Sequence, residues 1–338
     1  MSAYKNRNIL TLKSLYIGYS AGKRKRNVLP PLNATAAQGE LIALIGRNGI
    51  GKSTLLRTLT GIQPPLAGEI IIDDRNISDY KKVELARRAG YVSTENIRVS
   101  NMTVYDLVAL GRFPHTNWLG KIENEDNQII TNSLEQTSMA SFSARFINEI
   151  SDGERQKAMI ARLLAQDTSI MILDEPTAFL DVSGRYEIIH LLHKLAKESL
   201  KTIIFSTHDL QMAVSQADKV WLLLGDRLVE GAPEDLMLSG AFGELFESSS
   251  VHFDRKNGTF SFMEDTAGSI YVEGEGDARR WTDKALNRAG YIISSEMAGD
   301  YIVTPKSSGQ EWKLISGSEI KQFHSIYELI RELTVPGI

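Results

Sequence analysis

The 338 residues include no cysteine. That absence excludes disulfides, thiol nucleophiles and thiolate metal sites, and it suits a reducing compartment such as the cytoplasm. Long apolar runs are missing too: no stretch approaches the roughly 18 consecutive apolar residues that read as a membrane span. The first ten residues, "MSAYKNRNIL", lack the apolar core of a signal peptide. There is no internal repeat and no low-complexity segment. No excess of one charge exists either: 38 Lys and Arg against 42 Asp and Glu leave a net charge of −4, which argues against nucleic acid as the main partner. The local exception is "GKRKR" at 22–26. It reads as a solvated turn between two early strands, with contact to nucleic acid or lipid as the alternative. What remains is ordinary globular composition, 42% hydrophobic and 24% charged, with length enough for two domains.

Apolar strands alternate with amphipathic helices along the first two-thirds of the chain. "GELIALIGRNGIGKSTLLRTLTG" (39–61) reads as strand, glycine loop and helix, with Leu41–Ile45 as the strand. Further strands are expected in 68–74, 169–176, 202–209 and 219–231, and an amphipathic helix in 184–199; residues 100–170 are mostly helical in pattern. Such alternation predicts an α/β fold with a largely parallel sheet covered on both faces. From about residue 255 the pattern changes to short alternating strands with two helix candidates, 278–290 and 324–334. The expected organisation is a main domain over 1–254, with a helical subdomain near 96–165, and a small α+β accessory domain over 255–338. In that second domain Trp281, Ala285 and Leu286 form one apolar stripe, and Ile326, Leu329, Ile330 and Leu333 another. It holds no glycine-rich phosphate loop, and the expectation is a packing domain, with regulation by a small ligand as the alternative.

Gly46-Arg47-Asn48-Gly49-Ile50-Gly51-Lys52-Ser53 fits the phosphate-loop pattern G-x-x-x-x-G-K-[ST] at every fixed position. Glycines let backbone N–H groups close around phosphates, Lys52 would reach the β- and γ-phosphates, and Ser53 would ligate Mg²⁺, with Thr54 next in the helix. Asp174 and Glu175 close a buried strand. Downstream of a phosphate loop, Asp174 suits Mg²⁺ and Glu175 suits a general base for the attacking water. A second anion-friendly helix start lies at "ISDGERQ", where Ser151 and Glu154 stand three apart ahead of Met159, Ile160, Leu163 and Leu164. That spacing is a capping box, and free N–H groups at such a start favour negative charge. His190 and His193 stand three apart on one helix, but without a third ligand a solvated helix face is the simpler reading.

In order, the phosphate loop, "ISDGERQ", "IMILDEPT", "FLD" and "STHD" resemble the ATPase subunit of ABC transporters over roughly residues 8–250. The resemblance implies a P-loop ABC-type ATPase domain with a helical subdomain. It also implies that two chains close as a homodimer around two Mg-ATP. ATP on one chain's phosphate loop would be capped in trans by Ser151, Gly153 and Glu154 of the other, with Asp181 crossing the dimer interface. His208 matches the switch histidine at the γ-phosphate. Tyr19 matches the aromatic that stacks on adenine, with Tyr16 as the second choice. Two positions depart from the pattern. Asp152 replaces the first signature glycine, and "YVSTEN" carries Thr94 and Glu95 where the family has its coupling glutamine. Either Thr94 or Glu95 could stand in as an oxygen donor to Mg²⁺. Residues 103–114, "TVYDLVALGRFP", resemble the branch that imports ferric siderophores, haem and vitamin B12; as a helix they would pack Val104, Leu107, Val108 and Leu110 inside. By resemblance the protein is a peripheral ATPase at the cytoplasmic face of the inner membrane. It would power permease subunits and be served indirectly by a substrate-binding protein. The rival is a soluble ABC ATPase acting on ribosomes or DNA; one P-loop, and only about 100 residues between P-loop and signature, speak against it.

Overall fold

The computed structural model describes residues 7–21, 24–94, 101–116, 120–246, 251–254, 259–262, 267–297, 301–304 and 311–334. The chain divides into two compact units, Met1–Leu245 and Phe246–Ile338. The boundary lies ahead of position 255, where the sequence pattern changes.

The first unit opens with β1 (Asn8–Tyr16), a hairpin of β2 (Gly18–Ala21) and β3 (Arg24–Asn27), and β4 (Leu32–Ala37). There follow β5 (Leu41–Gly46), α1 (Lys52–Leu59), β6 (Ala67–Ile72), β7 (Arg75–Asn76), α2 (Lys82–Ala86) and β8 (Ala89–Val92). Next come α3 (Val104–Ala109), α4 (Asn124–Gln136), α5 (Asp152–Ala165), β9 (Ile170–Leu173), α6 (Val182–Glu198) and β10 (Thr202–Ser206). The unit closes with α7 (Leu210–Gln216), β11 (Lys219–Leu223), β12 (Leu228–Gly231), α8 (Pro233–Ser239) and α9 (Ala241–Glu244).

Six strands form one sheet in the order β12-β11-β5-β10-β9-β8. All its pairings are parallel except β11 with β12. Every residue of β5, β9 and β10 is buried, as expected of continuously apolar strands covered on both faces. A second, antiparallel sheet runs β4-β1-β6-β7. Leu10, Leu12, Ile70 and Ile72 from it share a core with Ile42, Leu44, Ile172 and Ile204 from the first, and with Leu55, Leu56 and Leu59 of α1. The sequence reading found β6 and missed the sheet. The alternation of β1 is broken where its register shifts between Leu12 and Leu15, at Ser14, whose φ is +45°.

Helices α3, α4 and α5 pack on one another. Their core takes Val104, Leu107, Val108, Ile130, Leu134 and Leu163. Leu110 corrects an expectation: it is 50% exposed, because α3 ends at Ala109 and residues 110–112 tighten into a 3₁₀ turn that swings it outward. That turn also brings Gly111 so close to α5 that an added Cβ would lie 2.2 Å from the Arg162 carbonyl oxygen. Beside it, buried Arg112 pairs with Asp126 at 2.8 Å and donates to the Ala165 carbonyl at 2.9 Å.

The second unit begins with a hairpin of β13 (Val251–Asp254) and β14 (Thr259–Phe262). Then come β15 (Gly268–Glu273), α10 (Gly276–Arg288), β16 (Tyr291–Ser294), β17 (Tyr301–Val303), β18 (Trp312–Ser316), β19 (Glu319–Phe323) and α11 (Ile326–Thr334). The five later strands form a sheet in the order β16-β15-β17-β18-β19. Ile270, Val272, Ile302 and Leu314 from it meet Leu286 and Leu329 from the two helices. Trp281 is not part of this core: it is 51% exposed, with Arg280 and Lys284 over its ring. Strand β19 escaped the sequence reading because four of its five residues are exposed and give no clean alternation.

Candidate functional site

The strand order decides what can meet. Neighbours β5, β10, β9 and β8 run parallel, so their carboxyl ends lie side by side. Those ends lead into Gly46, His208, Asp174 and Thr94, which are scattered over some 160 residues of sequence. Ligands of open α/β sheets bind at this edge.

At the end of β5 the chain turns through 47–51 into α1. Gly49 has φ +75° and Gly51 has φ +116°. A Cβ on Gly51 would sit 2.6 Å from Val28 Cγ1, so this position admits only glycine without movement. Helix α1 starts on Gly51 with no side-chain cap. Its first-turn N–H groups are therefore left for an external acceptor. Lys52 is 6% exposed; its Nζ donates to the Gly46 carbonyl at 2.9 Å and the Arg47 carbonyl at 3.3 Å. Burial lowers its pKa, while the charges of Glu175 and Asp174 pull the other way. Tyr19, exposed on β2, reaches the same helix, its hydroxyl 3.1 Å from Thr54 Oγ1.

Asp174, 4% exposed, follows β9. Ser206 Oγ donates to its Oδ1 at 2.7 Å and the Tyr91 hydroxyl to its Oδ2 at 3.2 Å. The same Ser206 oxygen accepts the Glu175 N–H at 2.8 Å. Glu175 sits at φ +48°, and its carboxylate is hydrogen-bonded to His208 Nε2. Burial first, and then the Asp174 charge, push the Tyr91 phenol up to about 12, so it remains a donor. Thr94 lines a cleft with Asp152, Gln156, Glu175 and Phe179. Glu95 lies outside the described residues.

The start of α5 is built differently. Ser151 is its N-cap: Oγ accepts the Glu154 N–H at 3.3 Å and donates to Glu154 Oε2 at 2.9 Å, which also takes the Ser151 N–H at 2.7 Å. These bonds hold the Glu154 carboxyl below its ordinary pKa. Asp152 turns aside onto Arg155 at 2.6 Å. Its occupation of a glycine position therefore leaves the mouth of the helix open. Gly153 has only Leu180 near an added Cβ, at 4.0 Å. Asp181 caps α6, accepting the Gly184 N–H at 2.8 Å. Among the described residues no group of three metal-ligating side chains exists, so His190 and His193 gain no third partner.

Comparison with known proteins fits this arrangement. A family model described as ABC transporter matches residues 29–178, and one described as Iron ABC transporter C-terminal domain matches residues 267–334. The iron(3+)-hydroxamate import ATP-binding protein FhuC of Bacillus subtilis is 35% identical over 241 residues, covering 71% of this chain and 88% of that protein. The chain belongs to the ATP-binding proteins of ABC transporters. It is an ATPase with the α/β fold of that family and a small added domain. The ferric enterobactin transport ATP-binding protein FepC of Escherichia coli is 35% identical over 235 residues, 69% of this chain and 85% of its own. Among solved structures, an inward-facing ABC transporter described as of metal-chelate type superimposes with a TM-score of 0.62 at 29% identity, covering 71% of this chain and 89% of the other. A dimeric cassette in a post-hydrolysis state with ADP and Pi gives 0.57 at 26% identity, covering 66% and 98%. The second family match falls on a region for which the sequence alone suggested no relative.

In this ABC ATPase the donors at the strand ends suit Mg²⁺. The Ser53 hydroxyl, in the first turn of α1, makes no side-chain hydrogen bond among the described residues, and Asp174 keeps lone pairs free beyond its two donors. Both are hard oxygen ligands. Sequence reasoning missed Tyr91 and Ser206, which hold Asp174. Tyr91 opens "YVSTEN" and Ser206 opens "STHD", but within those motifs attention fell on Thr94, Glu95 and His208, and only the strand order brings the two hydroxyls beside Asp174.

Proposed function

We propose that the chain is the ATPase subunit of an importer for iron chelates of the siderophore class. Two copies would close around two Mg-ATP and drive a membrane permease from the cytoplasmic face. The observation that carries the catalytic part is the convergence of Lys52, Asp174, Glu175 and His208 at adjoining strand ends. Lys52 and the N–H groups of 49–54 hold the phosphates, and Tyr19 stacks on the adenine. Ser53 and Asp174 would hold Mg²⁺, with Thr94 as an added oxygen donor, and the metal would supply positive charge against the phosphates. Glu175, oriented by His208, takes the proton of the water that attacks the γ-phosphorus, and ADP leaves. Ser151 and Gly153 of the partner copy cap the γ-phosphate, and Asp181 crosses between the copies. The cargo reading rests on the import functions for which the relatives are named and on the iron-transporter description of the second family match.

Glu175→Gln keeps shape and loses the base. Steady-state hydrolysis should fall by about 10²–10⁴, with ATP affinity retained and a closed dimer accumulating on size exclusion. Wild-type turnover in that variant would remove Glu175 as the base. For the cargo, copurification with a permease and ATP-dependent uptake of a ferric siderophore into vesicles are expected; copurification with ribosomes or DNA instead would reverse the reading. The second unit is a packing and dimer-stabilising domain in this proposal, so a chain ending at Ser250 should still bind and hydrolyse ATP.

A further inference from the structure

Asp174 is the only residue of the site whose two carboxylate oxygens are each held by a separate neighbouring strand among the described residues. Ser206 at the end of β10 takes Oδ1 at 2.7 Å; Tyr91 in β8 takes Oδ2 at 3.2 Å. Strand β9 lies between those two strands, so the carboxylate is gripped from both sides. A lone aspartate can turn about its Cβ–Cγ bond, whereas two donors from opposite sides fix the plane and leave one direction open to a further ligand. Ser206 does more, because its oxygen also takes the Glu175 N–H at 2.8 Å and so sets the start of the next residue. Tyr91 is itself anchored. Arg162 of α5 donates to its carbonyl at 3.2 Å. Its ring packs against the core of the first unit, so the phenol is a rigid strut.

We propose that Tyr91 and Ser206 are positioning residues that aim the Asp174 carboxylate at the Mg²⁺ of the bound nucleotide. The inference rests on the reading of Asp174 as a metal-binding group. Its logic is that of metal sites in general, where partners of a ligand fix its orientation and their loss weakens the metal. Through Arg162, helix α5 joins the same set, so the helix that would cap the partner's nucleotide is bonded to the strut of its own metal site.

The test uses the full chain and Mn²⁺ as probe, with a nonhydrolysable ATP analogue and free Mn²⁺ read by electron paramagnetic resonance. Tyr91→Phe keeps the ring, and Ser206→Ala keeps the size of the pocket. Each should weaken Mn²⁺ binding about 10-fold or more, with analogue affinity in EDTA unchanged to within about 2-fold. A purely structural role would lower both affinities together, or the melting temperature alone, and either result overturns the proposal. Equal Mn²⁺ affinity in wild type and in both variants overturns it as well, while leaving the ATPase reading intact. If the wild-type chain fails to bind the analogue, or Asp174→Asn leaves Mn²⁺ affinity unchanged, the reading beneath it falls too.

Discussion

Two helix starts in this molecule are proposed to meet the nucleotide, and they are made in opposite ways. Helix α1 begins on Gly51, which has no side chain and a left-handed φ of +116°, so its first turn has no cap. Helix α5 begins on Ser151, whose hydroxyl and N–H are both engaged with Glu154. The uncapped start leaves its first N–H groups without a side-chain acceptor, at a standing cost to the folded chain. The capped start is stable on its own, and Ser151 must release the Glu154 carboxylate before its hydroxyl can donate to a phosphate. Under the proposed function, a phosphate loop that binds nucleotide within one chain and a signature that meets it only on closure would fit this asymmetry.

The largest expected effect breaks the two starts in separate copies. Ser151→Ala should lower turnover by about 10²–10³ while leaving nucleotide affinity of the single chain intact. Lys52→Ala should weaken ATP binding by about 10–100-fold. Mixed dimers place both defects in one site and leave the other whole, so nucleotide trapping should reappear in the mixture; verified mixed dimers without trapping would deny a shared site. Next comes the fold itself. Gly51→Ala adds a Cβ against Val28 in a left-handed conformation and should cost about 1–3 kcal/mol in denaturant melts. Smaller is the cap: Ser151→Ala should also lose about 1 kcal/mol of stability, a cost with no counterpart at α1. Smallest is its pH dependence. The folded Glu154 carboxyl titrates below its ordinary range because it accepts the Ser151 N–H. Its contribution is therefore present above the unfolded value of about 4.3 and fades as pH falls through the lowered folded one. Melting temperatures of wild type and Glu154→Gln should differ at neutral pH and converge in acid; a gap that widens in acid would contradict the box.

Local chemistry was legible in the sequence. The capping box needs only Ser151 and Glu154 three apart, and the continuous apolar runs of β5, β9 and β10 announce buried parallel strands. Non-local placement was not. Nothing in "AGYV" or "IIFS" shows that Tyr91 and Ser206 flank Asp174, because that follows from the order β10-β9-β8. Leu110 and Trp281 were misplaced for a related reason: helical spacing assigns a face, but the end of α3 and the cations beside Trp281 decide what happens there. The antiparallel sheet went unseen because a bulge interrupts the period of β1.

The strand order also sets a schedule. In the sheet, β5 lies between β10 and β11, and Leu41 pairs with Ile203, about 160 residues further along. At a synthesis rate of about 5–20 residues per second, the segment "LIALIG" emerges from the ribosome roughly 10–30 s before either of its neighbours exists. During that interval a fully apolar strand, later buried at every residue, has no mate of its own sheet in its own chain. Newborn copies on one messenger are thus exposed to one another, and chaperone demand should peak before residue 200 is made.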